Sequence, residues 1–181
     1  MIAVVGHRDL AAGTSLAADL RDLLERRATG APVLVRAGAG LPLVVGRAVR
    51  EAGRELVVLL PAPAPGAAAL PAYDRAAAGE LLVLAEHVRL LPYDPADRDA
   101  SVSADERLIR SCRQVVALWD GSPSDGRDAT AHLVAFARAR GIPVTVFWPP
   151  SAVRRPAALL SGTNGSRSKA CPAPPVPSCR G

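Results

Sequence analysis

Short apolar runs alternate with amphipathic segments from the start of the chain to about residue 149. Six runs, at residues 2–5, 33–35, 56–60, 88–91, 115–119 and 144–148, are apolar at nearly every position. Strands with one wet face alternate in polarity, so these runs read as strands covered on both sides. The segments between them carry helical periodicity. Leu16, Leu20, Leu23 and Leu24 fall on one face of a helix over 14–27, with Thr14 as its cap and Gly30 ending it. Pro42 suits a first helical turn, a second helix runs over 43–51, and Gly53 stops it. Residues 61–71 hold four prolines, which lack the N–H a sheet interior needs, so this stretch crosses the top of the domain as a loop. A third helix is expected over 73–87, then an acidic loop over 92–102. Ser103 and Glu106 match a capping box opening a fourth helix to Cys112, and a fifth covers 130–140 before Gly141.

Strands alternating with helices predict an α/β fold: Rossmann-like, doubly wound, with a mainly parallel sheet of about six strands and helices on both faces. Right-handed crossovers wind such a sheet outward from its first strand, and a switch point is expected between the first and fourth strands. The loops after the first, fourth and fifth strands then share one crevice: Gly6-His7-Arg8, the acidic loop, and residues 120–130. Ligands of open α/β sheets bind at such strand ends, and helix starts there offer free N–H groups to anions. No internal repeat is evident.

The chain's 181 residues fit a domain large enough to hold a core without staples. Aromatics make up only 3% of it, so Ala, Val and Leu must fill the interior. The net charge of +5 points to nucleic acid until it is divided along the chain. Residues 1–150 carry 17 Arg against 17 Asp and Glu, whereas residues 151–181 carry four Arg, one Lys and no acid. The expected organisation is therefore an electrically neutral ligand-binding domain over 1–150 and a basic, Pro- and Ser-rich disordered tail over 151–181. Nucleic-acid binding by the folded part is not expected, since that calls for a basic footprint on the domain itself. No leader is read at residues 2–5, which lack a basic start, and no stretch suits a membrane span, so a cytoplasmic location is expected.

Cysteine and lysine usage narrows the chemistry. Cys112, Cys171 and Cys179 have no metal-site spacing, and neither a metal nor a cofactor is expected. The one lysine, Lys169, lies in the tail, which excludes a phosphate-binding P-loop at residues 6–14 and Schiff-base catalysis in the domain. No grouping of Ser, His and acid follows from spacing, and the catalytic residues stay unassigned.

Several segments together resemble a known superfamily. An opening Ile-Ala-Val-Val-Gly6-His7-Arg8-Asp9-Leu10, then Leu-Val-Val-Leu-Leu-Pro61, Tyr73-Asp74-Arg75, Val-Val-Ala-Leu-Trp119-Asp120-Gly121, Ala129-Thr130-Ala131 and Gly141-Ile-Pro-Val-Thr-Val are similar to SLOG domains. That group includes the LOG nucleotide hydrolases and DprA-like proteins, and the likeness covers residues 1–150. It implies a nucleotide or nucleotide-derived ligand, with phosphate at the Ala129-Thr130 helix start. The chain departs from the pattern at Asp128, where relatives have Gly, which puts a negative charge beside that phosphate. It departs again at Gly40-Leu41-Pro42, where they have Gly-Ala-Asp. Leu133 stands where the hydrolases carry a glutamate, and Glu106-Arg107 is an imperfectly spaced counterpart of their Glu-Arg pair.

The ligand-binding set expected from the sequence is Gly6, His7, Arg8, Asp120, Gly121, Asp128, Ala129 and Thr130, with a weaker claim for Gly40, Glu106, Arg107 and Trp119. His7 reads as a ligand contact rather than a turn residue, and Arg8 likewise, with an ion pair to Asp9 or Asp120 as the alternative. Asp120 is open between orienting a ribose hydroxyl and bonding loop N–H groups. Thr130 caps a helix with or without ligand. Trp119 and Trp148 read as core, and His87, at the end of the third helix, and His132 as solvated. The leading expectation is a nucleotide sensor or binding protein. The alternatives are a LOG-type nucleoside-monophosphate N-glycosidase using Glu106 or Asp120, and a DprA-like nucleic-acid binder. Whether copies associate stays open.

Overall fold

The computed structural model describes residues 1–7, 10–11, 14–27, 30–62, 69–125, 128–149 and 152–154. Arg8, most of the proline-rich loop and the tail from residue 155, including Cys171 and Cys179, lie outside the described residues. So does the Thr14 side chain.

The strands are β1 (Ile2–Gly6), β2 (Leu10–Ala11), β3 (Val33–Arg36), β4 (Leu56–Pro61), β5 (His87–Leu91), β6 (Gln114–Leu118), β7 (Val144–Phe147) and β8 (Val153–Arg154). The helices are α1 (Thr14–Arg27), α2 (Leu41–Glu51), α3 (Ala72–Leu84), α4 (Arg98–Arg110) and α5 (Thr130–Ala139). Six strands form one open, all-parallel sheet in the order β5-β4-β3-β1-β6-β7, a Rossmann-like α/β arrangement. The two-residue strands β2 and β8 pair antiparallel, so the chain returns past residue 150 to the end of β1. Among the described residues no helix is long and apolar enough to cross a membrane.

Each strand feeds two apolar layers, because successive side chains point to opposite faces. Ile2 and Val4 of β1 join the layer under α1, α2 and α3, with Leu16, Leu20, Val45 and Leu81. Ala3 and Val5 join the layer under α4 and α5, with Ile109, Leu133, Val134 and Ala137. Two-sided burial explains the continuous apolar runs. It fails at the two edge strands, β5, where Val88 and Leu90 are 45% and 62% exposed, and β7, where Val146 is 43% exposed. Helices α2 and α5 both stop at left-handed glycines, Gly53 (φ 64°) and Gly141 (φ 67°), whose following N–H groups, those of Arg54 and Ile142, bond back to Val49 and Ala137.

Three expectations are corrected. The switch point lies between β1 and β6, not between the first and fourth strands. The chain steps outward through β3, β4 and β5 on one side before α4 carries it back across the sheet to β6. The fourth helix starts at Arg98 rather than Ser103: the Asp97 carboxylate accepts from the Asp99 N–H at 2.8 Å, and no breaker follows. The third helix stops at Leu84, so His87 begins β5 instead of sitting on a helix end. Extended backbone at Ala85 (ψ 137°) and two bonds between Glu86 and the backbone of Leu56 draw the chain into the sheet there.

Candidate functional site

At the switch point the end of β1 is bolted to the loop after β6. The His7 ring is fully buried, with Nδ1 2.7 Å from Asp128 Oδ2 and Nε2 2.9 Å from Asp120 Oδ1. A doubly protonated ring donates to both carboxylates. A singly protonated one donates from Nδ1 to Asp128 and takes the Asp120 N–H, at 3.4 Å, on Nε2. The Thr130 hydroxyl donates to the other Asp128 oxygen at 2.8 Å, and the Asp128 N–H donates to Asp125 Oδ1 at 2.7 Å. Trp148 meets the His7 ring edge-on at 5.6 Å. His7 and Thr130, 123 positions apart in the sequence, thus share one carboxylate.

This network shapes a cleft of about 200 Å³ at the ends of β1 and β3, between the starts of α2 and α5 and the first turns of α4. Its lining mixes apolar side chains, Val4, Val35, Leu41 and Val45 from one core layer and Leu133 from the other, with polar ones. The polar groups are Arg36, Asp74, Arg98, Ser101, Asp105, Asp128 and Thr130, beside Gly38 and Ala39. Arg36, ending β3, grips Asp105 of α4 through two bonds, Nε to Oδ1 at 2.6 Å and a second nitrogen to Oδ2 at 3.1 Å. Burial works against the Arg36 charge, but Asp105 and Tyr93 outweigh it and raise the Arg36 pKa. Asp74 of α3 is buried and accepts the Ala39 N–H at 2.8 Å, which fixes the small-residue turn before α2. Arg98, half-exposed at the rim, donates to the Asp125 carbonyl at 2.9 Å and ties α4 to the loop after β6. The acidic loop therefore does reach the crevice, although β5 lies at the far edge: α4 brings it there.

The structure brings Gly6, Asp128, Ala129 and Thr130 together on the cleft wall. His7 and Asp120 are off the lining, joined to it through Asp128, and their polar atoms meet each other and the protein, with His7 closed to solvent. The ligand-contact reading of His7 therefore gives way to a positioning one. Gly121, with φ 88°, turns the chain away after Asp120, and Gly40, with φ 75°, leads into α2 one residue off the lining. Glu106 and Arg107 stand outside the cleft: Glu106 bonds His132 at 2.8 Å on the outer side of α4, and Arg107 is exposed. His132 is thus paired, not merely solvated. Trp119 donates its indole N–H to the Ser122 carbonyl at 2.7 Å and packs on the core, and Trp148 packs on the opposite layer.

Sequence reasoning missed Arg36, Asp74, Arg98 and Asp105. Arg36 and Asp105 are 69 residues apart, and no local pattern links them. The small-residue run Ala37-Gly38-Ala39-Gly40 was the one available signal for that side of the cleft. Among the described residues no cluster of three or more His, Cys, Asp or Glu could hold a metal ion.

Asp120 ties stability to pH. Partial burial acts to raise its pKa, but hydrogen bonds from Ser122 and His7 outweigh that and hold it well below the ordinary 3.8. A depressed folded-state value contributes stability that is whole above the unfolded value and lost as pH falls beneath it. The stability gap between the native chain and Asp120→Asn is therefore expected to shrink between about pH 6 and about pH 3. Urea unfolding at both values checks it, and a constant gap contradicts it.

Compared with known proteins, the chain matches no family model and no curated protein sequence.

Proposed function

We propose that this protein binds a nucleotide-derived small molecule in the cleft beside β1 and acts by binding it rather than by turning it over. The observation that carries the reading is the convergence, at the switch point of a Rossmann-like sheet, of two strand ends and two helix starts on one cleft lined by both apolar and polar side chains. A flat base suits the apolar side chains, and sugar hydroxyls suit the carboxylates. Ligand pockets run to about 300–1,000 Å³, so a cleft of about 200 Å³ matches a single nucleoside unit better than a dinucleotide. The resemblance to SLOG domains supports the same ligand class.

The hydrolase alternative finds less support. Leu133, at the position where the resembling hydrolases carry a glutamate, stands on the cleft wall. Glu106 and Asp120 are engaged elsewhere, with His132 and His7. A nucleic-acid reading has only the charge of the tail behind it, since residues 1–150 are neutral.

A thermal-shift and calorimetry panel of nucleosides, mononucleotides, dinucleotides and cyclic nucleotides tests the proposal. At about one hundred times Kd a ligand stabilises by about 2.7 kcal/mol, which raises Tm by roughly 5–10 °C in a domain of this size. Silence across the panel at millimolar ligand contradicts the reading.

A further inference from the structure

We infer that the cleft holds the uncharged nucleoside part of its ligand, and that any phosphate lies outside, at the rim beside Arg98. This rests on the proposed binding of a nucleotide-derived molecule and fixes which part of it goes in. Helix starts at such a crevice ordinarily attract phosphate. Here each start already meets a carboxylate of the protein itself. Asp74 accepts the Ala39 N–H just before α2. Asp128, buried directly ahead of α5, is held by His7 and by the Thr130 hydroxyl. At α5 the His132 N–H is further taken by Ser124 Oγ at 2.9 Å.

The charges of the lining point the same way. Three carboxylates, Asp74, Asp105 and Asp128, face two guanidiniums, Arg36 and Arg98. Arg36 is spent on Asp105 through its two-bond grip. A phosphate pushed inside would add two negative charges to a partly desolvated site already lined by three carboxylates, and like charges repel most where water is scarce. Acceptor-rich carboxylates match donors instead, namely ribose hydroxyls and the amino groups of bases. Among the described residues Arg98, about half-exposed, is the cation at the mouth, and an ion pair in that setting is weak.

Calorimetry of the full chain with the four ribonucleosides, their 5′-monophosphates and inorganic phosphate tests this. The best nucleoside is expected to bind within about fivefold of its own monophosphate, the most that one exposed ion pair supplies. Inorganic phosphate is expected neither to bind nor to compete. Arg98→Gln, a rim substitution that leaves the core untouched, is expected to remove whatever advantage the monophosphate has. A monophosphate more than about tenfold tighter than its nucleoside, or competition by inorganic phosphate, overturns this inference and leaves the nucleotide-derived ligand standing. Silence from nucleosides and monophosphates alike overturns both.

Discussion

Replacing His7 with alanine is expected to cost about 3 kcal/mol of folding free energy or more, since leaving a buried acceptor short of a donor costs about 1–3 kcal/mol and more where the acceptor is charged. Asp128 is 5% exposed, and its carboxylate is held on one oxygen by His7 and on the other by Thr130. Without the imidazole that carboxylate stays buried with a single neutral donor, and Asp120 loses its link to the end of β1. The loss falls on the junction that sets the cleft, so ligand binding is expected to fail with it. Urea unfolding of His7→Ala, Asp128→Asn and the double variant measures the coupling. A shared network predicts that the second substitution costs far less once the first is made. Additive costs, or a loss below about 1 kcal/mol for His7→Ala, would show that the two residues do not act together.

Gly6→Ala is the second large effect expected. A methyl group at Gly6 would come within 2.8 Å of the Leu118 carbonyl oxygen and 2.9 Å of Leu118 Cβ on the neighbouring strand, besides 2.6 Å of Leu41 Cδ2. A strand backbone cannot step aside without breaking the β1–β6 register. Gly46 offers a control, because its crowding comes from the ends of leucine side chains, Leu81 Cδ2 at 2.6 Å and Leu56 Cδ2 at 3.3 Å, which have other rotamers. Overpacking costs about 1–3 kcal/mol where the surroundings are rigid. Gly6→Ala is expected at the upper end of that range and Gly46→Ala at the lower. Gly6→Ala is also expected to weaken ligand binding, since Gly6 lines the cleft and Leu41 starts α2. Equal stability losses, with binding intact in both variants, contradict this assignment.

The sheet and its helices were legible in the sequence because burial on both faces writes apolar residues at every strand position, as at Val33, Leu34 and Val35. Strand order was not legible. Periodicity says that β5 is a strand but not that α4 returns from it to the middle of the sheet, and the switch point was misplaced for that reason. The start of α4 was hidden by two valid caps six residues apart, Asp97 and Ser103, of which the earlier one wins when nothing interrupts the helix after it.

The site was half legible. The loops after β1 and β6 were recognisable as crevice-forming from their place behind apolar strands, and they do meet. The partners within them were not, since His7 reaches Asp128 across 121 positions and Arg36 reaches Asp105 across 69. A histidine in such a loop carries the same sequence signature whether it faces a ligand or is closed in between two carboxylates. Burial decides, and burial is a property of the folded chain.

The most direct measurement is the change in backbone amide chemical shifts when the tightest nucleoside of the panel is added to the full chain. Shifts at Gly38, Ala39, Ala129 and Thr130, on both sides of the cleft, are the predicted result. Binding that leaves those four amides unmoved and shifts residues elsewhere, such as the exposed edge of β5, contradicts a ligand site at the β1–β6 switch point.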